Sequence, residues 1–518
     1  MSEQEATPLA PVDRRVFVLA AAVFALLMAF SARYGFHRDE LYFLVCGQHL
    51  QLSYVDQPVF TPLVARLSVE LFGVSVTGLR LWPALAAAGT VILGGLMARE
   101  FGGGRLAQLL GAIGVASAPA LIGADHLMGP TAFDLLSWSA LAFFVIRIGR
   151  TGDARWWVPA GAVLGVGLAN KHSIGFFALA LVVGTSFSVC KPLSVYKRGG
   201  GGRKRGGGGR FLANRYFVAG VLIALACTVP DLIWQAQHGW ATIAMTRVLA
   251  HENGGLGNGI VFILSQVFMA APVLIPVWFL GLRFLWRSDR PLWRALAWSW
   301  GLLVVFFAAT SGAKPYYVAA TYFFLLAAGA VHAEQRWPQP RELFTVAVPI
   351  ASLVALPMVL PVLPPNLIGW TDAVNPVMTE TVGWPQLVSS VTGVWDKLPP
   401  TQRASTVIFA SNYGEAGAID ELGHGLPQAH GLPEAVSGHN TFWWWGPGNP
   451  GATTVIAVLP GPKDGPAQLR SDFAHVTQAA TLTNPWHLTN QEYDGHIYIC
   501  SAPRHPWSAL WPTFRSYS

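Results

Sequence analysis

Arg14-Arg15-Val16-Phe17-Val18-Leu19-Ala20-Ala21-Ala22-Val23-Phe24-Ala25-Leu26-Leu27-Met28-Ala29-Phe30 is a basic pair followed by an unbroken apolar run. It leads into Tyr34-Gly35-Phe36-His37-Arg38-Asp39-Glu40 with no small-residue cleavage site between them, so the run reads as a retained first helix rather than a signal peptide. Similar runs recur, each long enough to cross a hydrocarbon core of about 30 Å. They fall at 16–34, 80–98, 106–123, 130–147, 156–170, 173–190, 216–235, 259–285, 294–311, 316–332 and 342–363. The expected architecture is mainly α: a polytopic membrane bundle of about eleven transmembrane helices. Charged residues make up 12% of the 518 positions, half of what a soluble domain usually carries. Asn170-Lys171-His172 interrupts the apolar stretch 156–190, which makes that pair of spans the least regular.

The net charge of +7 sits largely in short loops, so it speaks for orientation rather than for nucleic acid as a partner. Lys191, Lys197, Arg198, Arg203, Lys204, Arg205, Arg210 and Arg215 lie in a glycine-rich segment, 191–215, without one acidic residue. It reads as a flexible cytoplasmic loop in reach of anionic membrane lipid. Arg99, Arg105, Arg147, Arg150, Arg155, Arg283, Arg287, Arg290 and Arg294 fall on the same side. The N-terminus is then cytoplasmic and the C-terminal region outside. Cys46, Cys190, Cys227 and Cys500 form neither a metal spacing nor a dense disulfide framework.

Two segments do not belong to the spans. The outer loop 37–79 is too long for a tight connection. A short helix from Asp39 to about Leu50 is expected, and another from Thr61-Pro62, with Thr61 as N-cap, Leu63, Leu67 and Leu71 as an apolar stripe and Gly73 as its end. Both would lie along the membrane surface. After about 364 the pattern changes: Thr406–Ala410 and Thr453–Leu459 read as strands and Ala416–Leu422 as a helix. The expected division is a membrane domain over 1–363 and a soluble extracytoplasmic α/β domain over 364–518.

The residues that suit chemistry gather on the outer side. Asp39 and Glu40 follow the first span directly, and a carboxylate there can take a proton from an attacking hydroxyl. Helix capping by Asp39, with Glu40 in the first turn, explains the same pair without any chemistry. Asp56-Gln57-Pro58 can hold a sugar hydroxyl or a cation, or simply open a turn before proline. His126 follows Asp125 at a span end, and Asp134 lies about a turn inside the next span, where a carboxylate is costly and usually faces a polar cavity. Lys171, His172, Lys314, Tyr316 and Tyr317 can bind a phosphate through charge and hydroxyls, or can anchor helices at the interface. Lysine is uncommon on that side, which favours binding. No spacing demands a metal, although the clustered acids admit a divalent cation.

Arg38-Asp39-Glu40-Leu41-Tyr42, Asp56-Gln57-Pro58 and Thr131-Ala132-Phe133-Asp134 together resemble the bacterial membrane glycosyltransferases of family 39. These are relatives of the protein O-mannosyltransferases and of the aminoarabinose transferase acting on lipid A, with the GT-C architecture. The resemblance covers about residues 14–335. Asn412-Tyr413-Gly414-Glu415-Ala416 and Ser437-Gly438-His439-Asn440 look like the C-terminal part of a bacterial subgroup. The resemblance implies an enzyme of the bacterial inner membrane that passes a sugar from a polyprenyl-phosphate donor to an extracytoplasmic acceptor, with inversion. Asp39 would be the general base, Glu40 its partner, and Asp56, Asp134, Lys314, Tyr316 and Tyr317 substrate contacts. Relatives commonly carry Lys where this chain has Gln57, so phosphate binding would shift toward Lys314 or Lys171. A transporter or lipid-binding protein is the rival reading, but no internal repeat is visible and the acids cluster at the surface rather than at midplane. An inactive relative whose outer domain only binds a partner is a second rival, against which the intact Asp39-Glu40 pair speaks.

Overall fold

The computed structural model describes residues 9–190, 212–252, 255–310, 313–337, 343–371, 375–423, 431–461, 466–490 and 492–517. Most of the basic segment 191–215 therefore lies outside the described residues.

The chain is mainly helical. Helix α1 (Arg14–Phe30) is followed by two helices of the long loop, α2 (Arg38–Gln48) and α3 (Phe60–Phe72). Helices α4 (Val76–Glu100), α5 (Arg105–Ala116), α6 (Pro119–Asp125) and α7 (Pro130–Thr151) come next. They lead to α8 (Trp157–Leu168), α9 (Ser173–Cys190), α10 (Arg215–Gln237), α11 (Ala241–Glu252) and α12 (Leu256–Met269). The bundle closes with α13 (Ile275–Trp286), α14 (Pro291–Ala309), α15 (Ala319–Arg336) and α16 (Val348–Val359). Among the described residues, five helical segments are long and apolar enough to cross a membrane, or seven if the bent pairs α5–α6 (57°) and α12–α13 (83°) each count as one span. Of the remaining expected spans, 173–190 and 342–363 coincide with shorter apolar helices, so the number eleven rests on the sequence. The break foreseen at Asn170-Lys171-His172 is present, between α8 and α9.

Helix α15 is the axis of the bundle. Phe323 through Ala328 are buried without interruption, because α4, α5, α7 and α13 pack around it. A uniformly apolar helix is stable only where every face is covered. The crossing with α13 is close: a Cβ at Gly281 would lie 1.9 Å from the Leu325 carbonyl oxygen, and one at Gly329 2.1 Å from that of Val277. Only glycine permits this approach.

The long loop forms the two expected helices, each with a different start from the one expected. Helix α2 does not lie on a membrane surface. Leu41, Leu44, Val45 and Cys46 are buried in one cluster with Trp384, Leu387, Val391 and Ile419 of the C-terminal region. Its N-cap is His37, not Asp39: the ring accepts the Asp39 N–H (3.2 Å) while Glu40 accepts the His37 N–H (2.8 Å), a reciprocal capping box. Helix α3 exposes Leu63, Leu67 and Leu71, buries Ala65 and Ser68, and ends at Gly73 with φ 68°. It starts at Phe60, and the Thr61 hydroxyl bonds Asn170 Oδ1 (2.8 Å) instead of capping.

Beyond α16 come α17 (Trp384–Trp395), α18 (Tyr413–Gly423) and a five-stranded sheet. The strands are β1 (Thr406–Ala410), β2 (Ala435–Ser437), β3 (Thr454–Leu459), β4 (Phe473–Thr481) and β5 (His496–Pro503), in the order β2-β1-β3-β5-β4. β1 runs parallel to β2 and β3, whereas β5 is antiparallel to β3 and β4. Cys46, Cys227 and Cys500 are free thiols.

Candidate active site

Asp39 and Glu40 are adjacent in sequence and differ in every other respect. Glu40 is fully buried and holds Arg80 of α4 through two contacts, Nε–Oε1 at 2.9 Å and Nη2–Oε2 at 2.7 Å. It also accepts the backbone N–H of Met128 (2.8 Å). With both oxygens bonded, Glu40 ties α2 to α4 and to the α6–α7 turn. The Asp39 side chain is 43% exposed. Its Oδ1 accepts the Tyr413 hydroxyl at 2.8 Å, Arg38 Nε lies 3.7 Å away, and His37 Nδ1 3.8 Å from Oδ2. Burial works to raise the Asp39 pKa, but the neighbouring His37 and Arg38, the Tyr413 bond and His439 outweigh it and hold the carboxylate below its ordinary range. His37 is itself clamped from the far side by Glu380, Nε2 to Oε2 at 3.0 Å, and Arg38 lies 3.7 Å from the same carboxyl group.

Asp56 sits within electrostatic reach of Asp39. Its Oδ1 accepts the Tyr42 hydroxyl at 2.6 Å, and Thr441 Oγ1 lies 2.8 Å from that hydroxyl and accepts the Val55 N–H (3.0 Å). Because Tyr42 has one proton to give, Thr441 must donate to it. Burial raises the Asp56 pKa to about 7, against the Tyr42 bond and a backbone bond that lower it and with the Asp39 charge that raises it further. Gln57 is 3% exposed, and neither its amide nitrogen nor its amide oxygen has a partner among the described residues.

The expected cations form a second group. Lys171 Nζ lies over the rings of Tyr316 (5.0 Å) and Tyr317 (5.3 Å) and bonds the Thr131 hydroxyl (3.2 Å). Asp134 is buried beneath, accepting Trp138 Nε1 (2.9 Å) and the Ser173 hydroxyl (2.6 Å). Tyr316 joins the two groups, since the Asp39 and Asp134 charges both reach it. Lys314 is exposed and has no ion pair among the described residues. Two expected contacts are occupied elsewhere. His172 bonds Asp231 (2.9 Å), which also accepts the Ser53 hydroxyl (2.6 Å), so it fastens the turn before Asp56 to α10. His126 is buried, with Nδ1 on the Gly123 carbonyl (2.9 Å) and Nε2 without a partner among the described residues.

Tyr413, His439, Glu380, Arg80, Tyr42 and Thr441 were not singled out as site residues. The segments carrying Tyr42, Tyr413 and His439 are visible only as part of the resemblance; no local signal marks Glu380, Arg80 or Thr441. The buried His439 ring lies 4.6 Å from the Tyr413 ring, and burial, helped by Arg38, lowers its pKa to about 4. No group of three or more His, Cys, Asp or Glu side chains is placed to share an ion among the described residues.

Residues 56–197 match the family model described as dolichyl-phosphate-mannose-protein mannosyltransferase, a stretch that includes Asp56, Asp134 and Lys171 but not Asp39 or Lys314. No curated protein matches the chain. Among solved structures, ArnT from Cupriavidus metallidurans bound to undecaprenyl phosphate aligns with a TM-score of 0.59 at 17% identity, over 93% of this chain and 97% of ArnT. Its apo state aligns with a TM-score of 0.60 at 16% identity and the same coverage. Over nearly its whole length, then, the chain has the GT-C fold that ArnT has, and within it lies a segment similar to the dolichyl-phosphate-mannose-protein mannosyltransferases.

Proposed function

We propose that this protein transfers a sugar from a polyprenyl-phosphate donor to a hydroxyl acceptor on the outer side of the bacterial inner membrane, with inversion and with Asp39 as general base. The observation that carries the reading is the contrast at Asp39: a carboxylate kept ionised by His37, Arg38 and Tyr413, yet open to solvent. As the acceptor oxygen bonds to the anomeric carbon, its proton passes to the free Oδ2 of Asp39. The bond from that carbon to the phosphate oxygen breaks through an oxocarbenium-like state, and the phosphate leaves with the electron pair. Lys171 and the Tyr316 and Tyr317 hydroxyls stand on the same side and would carry the developing phosphate charge, with Lys314 at the rim. Gln57, buried without a partner among the described residues, would offer its amide N–H there in place of a charge. Asp56 would accept a sugar hydroxyl. That ArnT binds undecaprenyl phosphate supports a lipid of this class as donor carrier.

The test is Asp39→Asn, which keeps size and helix geometry because His37, not Asp39, is the cap. Turnover of undecaprenyl-phosphate sugars by purified protein, with native membrane vesicles supplying the acceptor, should fall about 10²–10⁴-fold at equal folded fraction. Activity within a few-fold of wild type would rule Asp39 out as the base.

A further inference from the structure

The single hydrogen bond to the Asp39 carboxylate among the described residues comes from the C-terminal region. Tyr413, at the start of α18, donates its hydroxyl to Asp39 Oδ1 (2.8 Å) and accepts a bond from Arg38 Nη2 (3.1 Å). Its ion-pair partners Arg38 and His37 stand at 3.7 and 3.8 Å, loose enough to leave its χ angles free. The phenol is held on its remaining sides by the Arg38 guanidinium over the ring (5.2 Å), by Tyr42 (4.7 Å) and by His439 (4.6 Å).

This contact is built into the sequence of α18. Asn412 caps the helix by accepting the N–H groups of Gly414 (2.8 Å) and Glu415 (3.1 Å). Gly414 and Gly417 face α2: a Cβ at Gly414 would lie 2.8 Å from Arg38 Cβ, and one at Gly417 3.0 Å from the Leu41 carbonyl. The two helices are as close as glycine allows, and that closeness sets the reach of Tyr413.

We infer that Tyr413 is a positioning residue for Asp39, through which the C-terminal domain completes the site of the membrane domain. It fixes Oδ1 and leaves Oδ2 as the oxygen that meets the acceptor proton. Arg38 on the phenol oxygen polarises the O–H, and burial first, then the Asp39 charge, keeps the phenol protonated. The inference rests on Asp39 being the base.

Tyr413→Phe in the full-length chain tests it. Phenylalanine preserves the ring contacts with Arg38, Tyr42 and His439 and removes only the hydroxyl. With undecaprenyl-phosphate sugars as substrate, kcat should fall by about 10- to 100-fold, the loss typical of a reacting group left slightly misplaced. KM for the donor and the apparent Tm should stay close to wild type. The acidic limb of the rate profile should move to higher pH, because the lost bond favoured the ionised carboxylate. His37, Arg38, Asp56, His439 and Tyr316 still face Asp39, so the limb should keep its slope. The double variant Tyr413→Phe/Asp39→Asn should be no slower than Asp39→Asn alone. An unchanged kcat and pH profile, with Asp39→Asn inactive, would overturn the positioning role while leaving the base assignment intact. An active Asp39→Asn would instead remove the base and the positioning role together.

Discussion

At the scale of residues, the decisive contrast is between neighbouring carboxylates that one helical step separates. Position 40 points into the seam between α2, α4 and the α6–α7 turn, where Arg80 and two backbone N–H groups await it. Position 39 points to the C-terminal domain and to solvent. A buried ion pair broken on one side leaves a charge with no partner, at a cost of about 3–5 kcal/mol. Glu40→Gln, which strands the 2%-exposed Arg80, should therefore lower the apparent Tm sharply. Asp39→Asn, at a half-open position, should leave it within about 1 kcal/mol of wild type. Thermal unfolding of both variants in one detergent separates the roles; equal stability losses would contradict the assignment. The pair could be recognised in the sequence, but the division of labour could not. It depends on Arg80, which lies at the start of an apolar span and carries no mark of its partner.

At the scale of elements, apolar periodicity carried most of the fold. The strand Thr406–Ala410 coincides with its expectation, β3 begins one residue later than expected, and α3 shows the expected stripe. The failures have two causes. β4 is an edge strand that exposes His475, Thr477 and Gln478, so it lacks the buried alternation by which a strand is recognised. α2 looked like a surface helix because its burial comes from a domain more than 300 residues further along the chain. For the same reason Tyr413 and Glu380 were illegible as site residues: only the docking of α18 and of the turn before α17 brings them to His37-Arg38-Asp39. Close packing is legible at the glycines instead. Gly329→Val should force α15 from α13, because its side chain would meet the Val277 carbonyl that a Cβ already approaches to 2.1 Å. Overpacking of this kind costs about 1–3 kcal/mol or more. A fall in apparent Tm of several degrees is expected, and an unchanged Tm would mean that the two helices do not cross this closely.

At the scale of the whole molecule, the two ends of the bundle have opposite chemistry. One end gathers arginines: Arg147 and Arg150 on Glu100 (3.2 and 2.6 Å), Arg290 on the carbonyls of Gly149 and Arg150, and Arg294 on that of Ser188. Arg99 reaches the Ala10 carbonyl there, so the N-terminal segment is at this end too. The other end holds Asp39, Asp56, Lys171 and the C-terminal domain. Arginine-rich short loops favour the cytoplasm, and the transfer proposed above would need the acidic end to face out. Both predict the same orientation. Asp289 and Asn449 are both exposed, one at each end, which makes them suitable reporters. With the four native cysteines replaced, a membrane-impermeant maleimide added to intact cells should label Asn449→Cys and spare Asp289→Cys until the cells are opened. Labelling of Asp289→Cys in intact cells would invert the molecule. It would put Asp39 in the cytoplasm and leave the proposed transfer without its acceptor side.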